Sequence, residues 1–193
     1  MVIPGRPNLE IRIYNEHDAF HLAKFCYACE ILGLENNKNF YNLKLEKMVM
    51  PYGVYFVGVD HINNKIWNIA GIHHLPEIGN NVWRCLFRGA QLPKYALGVS
   101  KDFLKVSYHW RYFLPLQIEY IQSLYPDSEF VVSTNIENST AGKSDRLNKV
   151  IMPQLENQGL VSFRKRTQLF DTDQNIWSVN VDSLTTRLRL LGD

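Results

Sequence analysis

Three groupings in this 193-residue chain combine residue types and spacings that could do chemistry. Ala141-Gly-Lys-Ser144 follows an apolar stretch and opens a helical pattern, a setting in which backbone N–H groups and a lysine can cradle phosphate. That use requires a further glycine four residues ahead of the Gly-Lys-Ser triplet, yet Glu137 stands there and would repel phosphate. Too little chain follows for a parallel nucleotide-binding sheet. The segment therefore reads as a helix start capped by Ser139, Thr140 or Ser144. Cys26-Tyr-Ala-Cys29, with His21 nearby, has spacing that suits zinc or a redox pair. No second ligand pair accompanies it, so small thiols on the buried face of a helix, with no metal, are expected. His73-His74 and Glu77 close a strand pattern. Adjacent strand residues point to opposite faces, so the two imidazoles cannot share a metal without a bulge. A base at His74 or Glu77 is the chemical option; a structural histidine at each position is the plain one.

These residues sit among clear elements. Leu9–Tyr14 alternates apolar and polar residues as a half-buried strand does. Asn15 caps a helix with Glu16 and Asp18 in its first turn, carried by Leu22, Cys26, Cys29 and Leu32 and stopped by Gly33. A weaker helix is expected from about Asn39 to Met48. Val54–Asp60, Ile66–Leu75 and Val82–Gln91 form a meander with turns at Asn63-Asn64 and Glu77–Asn81. Helical patterning runs from Ser100 to about Tyr125, with Pro115 expected to split or kink it. Phe130–Asn135 is a short buried strand, and Leu147, Val150, Ile151 and Leu155 mark a helix ending at Gly159. Val161–Phe170 and Ile176–Val181 are strands around a turn at 171–175. Leu184, Leu188 and Leu191 suggest a last amphipathic turn or two.

Composition bounds the class. With 46% hydrophobic and 12% aromatic residues the chain can build a core, which excludes disorder as its main state. A net charge of +2 gives no bulk electrostatic case for nucleic acid. Arg164-Lys-Arg166 is split between the two faces of its strand and reads as a solvated edge. No apolar run approaches the ~20 residues that span a bilayer. Met1–Glu10 shows no secretory leader pattern, and three cysteines are an odd, sparse set. A soluble cytoplasmic protein without membrane or specific nucleic-acid partners is expected. Abundant Asn, Ile, Lys and Tyr suggest a phage or other AT-rich source. The order of hairpins and helical crossovers predicts an α+β fold around a mixed sheet.

From Leu9 to Val181 this order resembles the GNAT superfamily of acyl-CoA-dependent N-acetyltransferases. In that family a meander leads into a glycine-bearing loop whose N–H groups hold the CoA pyrophosphate at a helix N-terminus. Tyr95-Ala-Leu-Gly-Val-Ser100, preceded by Leu92-Pro93, is the segment similar to that loop. Gly98 matches the pattern, Ser100 is a small replacement, and Tyr95 replaces the usual basic or amide residue. Phe130–Asn135, the following helix and Gly159-Leu160 are similar to the family's later strand, helix and Gly-Phe ending. Two family features are absent. Leu155 stands at the position of the tyrosine that protonates the thiolate, and Val82–Gln91 carries no carboxylate.

The resemblance implies a single GNAT-like domain over 1–193, with its core at about 9–181 and a tail at 182–193. It implies a central mixed sheet with helices on both faces. It further implies transfer of an acetyl or acyl group from acetyl-CoA or another acyl-CoA to an amine on a small molecule or peptide. No metal is called for, and a homodimer is compatible. Backbone groups at Arg88, Ala90, Gln91 and Asn135 would line the pantetheine. Tyr95, Ala96, Leu97, Gly98, Val99, Ser100 and Lys101 would take the pyrophosphate. A water chain ending at His74 or Glu77 would take the amine proton, and Tyr95, Tyr108 or Ser133 would replace the missing tyrosine, or the thiolate would leave unassisted. The alternative is a catalytically silent binding or structural protein of the same fold.

Overall fold

The computed structural model describes residues 1–18, 20–22, 24, 53–90, 102–136, 146–169 and 172–192, with the backbone alone for 86–90. Cys26, Cys29, the pattern at 39–48 and Ala141–Ser144 lie outside the described residues. Among the described residues the elements are β1 (Val2–Ile3), β2 (Arg6–Ile13), β3 (Gly53–Asp60), β4 (Lys65–His74), β5 (Val82–Ala90), α1 (Phe103–Val106), α2 (Leu114–Leu124), β6 (Glu129–Asn135), α3 (Met152–Asn157), β7 (Val161–Leu169), β8 (Thr172–Val179) and α4 (Val181–Leu191). The strands make one mixed sheet in the order β1-β2-β3-β4-β5-β6-β8-β7. The chain divides into two compact units: Met1–His73 with Leu86–Gln117, and His74–Cys85 with Ile118–Asp193.

In the first unit β2, β3 and β4 run antiparallel, with Leu9 opposite Asp60 and Val57 opposite Ile69. β3 and β4 alternate less than a half-solvated strand would, because nearly every residue in them is buried. Their turn is locked by Asp60, whose carboxylate accepts the Ile62 and Asn63 N–H groups at 3.1 and 3.2 Å and the Asn63 amide at 2.6 Å. Asn64 follows with a φ of 46°, left-handed geometry that asparagine tolerates better than most residues. Trp67 lies over Gly58, where a Cβ would come within 2.6 Å of the indole. Its ring meets Tyr108 and Phe113 at centroid distances of 4.7 and 6.0 Å.

The long helical pattern is interrupted at Ser107, whose backbone is extended, and not at Pro115, where a split or kink was expected. Asp102 caps α1 by accepting the Leu104 N–H at 3.1 Å, and a wider π-type turn at His109–Phe113 leads into α2. Pro115 follows directly on that wider turn, and the helix continues through it, since Leu114 is itself helical and bonds the His109 carbonyl.

In the second unit β5 and β6 are parallel, from Val82 opposite Glu129 to Cys85 opposite Val132. That is the direction a helical crossover predicts. β8 then pairs antiparallel with both β6 and β7, and Leu75, Val82, Val131, Leu169 and Ile176 pack as a core. α3 ends at Gly159, whose φ of 69° suits a residue without Cβ.

Three features differ from the sequence reading. β1 adds a short outer strand beside β2. The β7–β8 turn is tighter than 171–175, since Leu169 already pairs with Thr172. The tail is an eleven-residue helix, capped by Asn180, whose side chain accepts the Ser183 N–H at 3.0 Å.

Candidate active site

The second unit brings together a set of polar side chains on the strands around the parallel pair. In β6 the alternation of side chains puts Ser133 on the face shared with Val131, and Val131 lies opposite Arg84. Arg84 is only 6% exposed. Its Nε donates to Ser133 Oγ at 2.6 Å, and its Nη2 donates to Gln174 Oε1 at 2.8 Å. Gln174 is oriented in turn by donating its amide to Thr172 Oγ1 at 3.0 Å. Burial pulls the Arg84 guanidinium down to about 10, and the charge of Glu77 acts in the opposite direction. The arginine therefore keeps its proton at neutral pH while lying in a poorly solvated strand.

The consequence for Ser133 is directional. Its oxygen accepts from a buried cation, so the hydroxyl proton is left to donate elsewhere, and the neighbouring charge polarises it. His74, at the end of β4, is half-buried. Its Nε2 lies 2.7 Å from the Asn80 carbonyl oxygen, which can only accept, so Nε2 carries the hydrogen. In the neutral ring the lone pair is then on Nδ1. The imidazole is steadied by Trp83, 5.3 Å away, which itself stacks on Tyr125. Glu77 lies exposed in the turn after β4.

The opposite face of β6 carries a second network. Thr134 Oγ1 donates to Asn148 Oδ1 at 2.5 Å and accepts the Trp177 indole N–H at 3.2 Å. Asn148 Nδ2 reaches the Asn135 carbonyl at 3.1 Å, tying the turn before α3 to the end of β6. Leu155, on α3, is fully buried.

Of the candidate residues, His74, Glu77, Ser133 and Asn135 belong to this unit. Tyr108 belongs to the first unit, in the aromatic cluster with Trp67. Burial raises its pKa, opposed by Arg6 and reinforced by Tyr112. His73 is buried and bonds the Tyr55 hydroxyl at 2.5 Å, a structural histidine as its plain reading expects. Arg88 and Ala90 lie in β5; Gln91 and Tyr95–Lys101 lie outside the described residues. Arg164 and Arg166 pair with Glu129 and Asp173 on exposed β7, the last strand of the sheet.

Arg84 and Gln174 are the members that sequence reasoning missed. A signal existed for the first. Val82–Phe87 is an apolar run on an inner strand, so a lone arginine within it had to be buried and held by acceptors. Gln174 carried no such signal, because 171–175 reads as a turn. No metal-binding cluster of histidine, cysteine or acidic residues occurs among the described residues.

No family model and no curated protein matches the chain. Solved structures do. A protein assigned to the GNAT acetyltransferase family from Desulfovibrio desulfuricans aligns over 90% of this chain and 99% of its own, at TM-score 0.57 and 11% identity. The ribosomal-protein-S5-alanine acetyltransferase of Vibrio fischeri aligns over 91% and 94%, at 0.51 and 14%. The chain has the GNAT fold. A dodecameric spermidine N-acetyltransferase from Vibrio cholerae aligns over 93% and 98%, at 0.51 and 11%. At such identities the likeness to GNAT proteins concerns the path of the backbone, and function has to be argued from the site.

Proposed function

We propose that this GNAT-fold chain is an acyl-CoA-dependent N-acyltransferase acting on an amine. The observation that carries the reading is the Arg84–Ser133 contact at 2.6 Å, a hydroxyl prepared to donate in a unit that also holds an imidazole with a defined lone pair. Acyl-CoA supplies an activated thioester carbonyl. The chain must do the proton work: remove one proton from the attacking nitrogen and give one to the departing sulfur. His74 Nδ1, directly or through a water, takes the first, with the carboxylate of Glu77 favouring the imidazolium that forms. Ser133 donates the second, and the Arg84 guanidinium stabilises negative charge at that end. Ser133 thus stands in for the tyrosine whose position Leu155 fills.

Backbone groups at Arg88, Ala90, Gln91 and Asn135 would hold the pantetheine, and the N–H groups of Tyr95–Ser100 with Lys101 the pyrophosphate. Replacing Gly98 with Glu adds a side chain and a like charge at that loop. Calorimetric affinity for CoA should then fall at least roughly tenfold, about 1.4 kcal/mol. Unchanged affinity would refute the loop assignment. Absence of CoA binding in the parent would favour the catalytically silent reading, to which the fully buried Leu155 lends support.

A further inference from the structure

The chain of hydrogen bonds that ends at Ser133 begins in the β7–β8 turn. Leu169 pairs with Thr172 across that turn, and the Thr172 hydroxyl donates to the Leu169 carbonyl at 3.1 Å. Thr172 Oγ1 is left to accept. Gln174 Nε2 donates to it at 3.0 Å and to the Leu169 carbonyl at 3.4 Å. A carbonyl only accepts and a guanidinium only donates, so the amide of Gln174 is fixed from both ends. Its nitrogen faces the turn and its oxygen faces Arg84. Gln174 is 6% exposed and lies opposite Asn135 in the register of β6 and β8, on the sheet face that carries Ser133 and Arg84.

Arg84 divides one edge of its planar guanidinium between two acceptors. Nε and Nη2 share that edge, the pair of donors that clasps both oxygens of a carboxylate in a two-pronged ion pair. Here Nε goes to Ser133 Oγ at 2.6 Å and Nη2 to Gln174 Oε1 at 2.8 Å. One contact would leave the plane free to turn about it, whereas contacts at both Nε and Nη2 set the direction of the Nε–H. A carboxylate at 174 would offer two oxygens to the same edge and compete with Ser133 for Nε. A carboxamide whose nitrogen is already held by the turn offers one.

We infer that Gln174 is the positioning residue of this site: its neutral, oriented carboxamide holds Arg84 by Nη2 and so directs the Nε–H onto Ser133. For its kinetic consequence this rests on the acyl-transfer reading, in which Ser133, accepting from Arg84, gives its own proton to the leaving sulfur. Gln174 acts through Arg84, and the tight β7–β8 turn holds Gln174.

Two variants and two readouts test it. Gln174→Glu keeps the side-chain shape but offers Arg84 a carboxylate; Gln174→Met keeps the length and removes the acceptor. In each, kcat should fall roughly tenfold with KM for acetyl-CoA unchanged. Ser133→Ala should lower kcat in the parent and add nothing further in Gln174→Glu, because the contact it removes is already gone. Nitrogen–proton spectra of the full chain give a readout independent of turnover. The Arg84 Nε–H signal should move in both Gln174 variants. Ser133→Ala should move it in the parent and leave it in place in Gln174→Glu. If Gln174→Met fails to fold, Gln174→Glu decides. Undiminished kcat in folded Gln174→Glu, an Arg84 signal that ignores both substitutions, or a Ser133→Ala effect as large in Gln174→Glu as in the parent would overturn the inference. A parent without acyl transfer whose Arg84 signal still responds to Gln174 in this way would remove the acyltransferase reading and leave the positioning of Arg84 standing.

Discussion

Ser133 and Arg84 depend on each other, and a single substitution separates their structural and chemical roles. Ser133→Ala removes the acceptor that Arg84 Nε uses at 2.6 Å, so denaturant unfolding should report a loss of about 1–3 kcal/mol. If the hydroxyl protonates the leaving sulfur, steady-state kinetics should also show a fall in kcat, with KM for the acyl donor little changed. Equal kcat in the folded variant would remove Ser133 from the mechanism. Asp18, paired with Arg12 at 2.6 Å, offers a test with a definite sign. Its folded pKa is depressed, so its contribution is present above the unfolded value of about 3.9 and is lost as pH falls through the folded value. Asp18→Asn should therefore be less stable than the parent near pH 6, with the gap narrowing below about pH 4 in urea titrations. A gap independent of pH would mean that the Arg12 pair contributes nothing electrostatic.

At the scale of elements, tight contacts explain residues whose identity the pattern leaves open. Gly58 and Gly71 sit under aromatic rings in the β3–β4 hairpin; a Cβ would meet Trp67 at 2.6 Å and Tyr55 at 2.5 Å. Neither ring can retreat far, since Trp67 is fully buried and the Tyr55 hydroxyl is bonded to His73. Gly58→Ala and Gly71→Ala should each cost about 1–3 kcal/mol in chemical denaturation. In α3, the wholly buried Leu155 leaves no room for the family's tyrosine. Leu155→Tyr should cost about 1–3 kcal/mol and give no gain in acyl transfer. A stable variant with higher turnover would show that the missing acid alone limits the chain.

At the scale of the molecule, the proposed co-substrate should be visible as stability. A ligand at 100 times its dissociation constant adds about 2.7 kcal/mol to a protein that binds it only when folded. Acetyl-CoA should therefore raise the melting temperature measurably, by calorimetry or dye fluorescence, while adenosine at equal concentration should do less. No shift at millimolar acetyl-CoA would remove the acyltransferase reading.

Much of the backbone was legible because it follows from local rules. Period-two alternation marked β2, and β-branched and aromatic runs marked β3 and β4, whereas Pro115 did not mark the interruption of the following helical pattern, which lies at Ser107. The direction of β6 followed from its helical crossover. The sequence by itself thus determined an α+β chain with a parallel pair beside antiparallel hairpins, and the structure bears that out. Only the tertiary structure decided which polar residues meet. Arg84 and Gln174 lie ninety positions apart in the chain, yet hydrogen-bond at 2.8 Å because β5, β6 and β8 are neighbours in the sheet. His21 and Lys65 line one cleft because the segment that follows β2 returns toward the β3–β4 turn, which lies beside the start of β2. Periodicity records which face of its own element a residue occupies; it carries no information about which distant side chain shares that face.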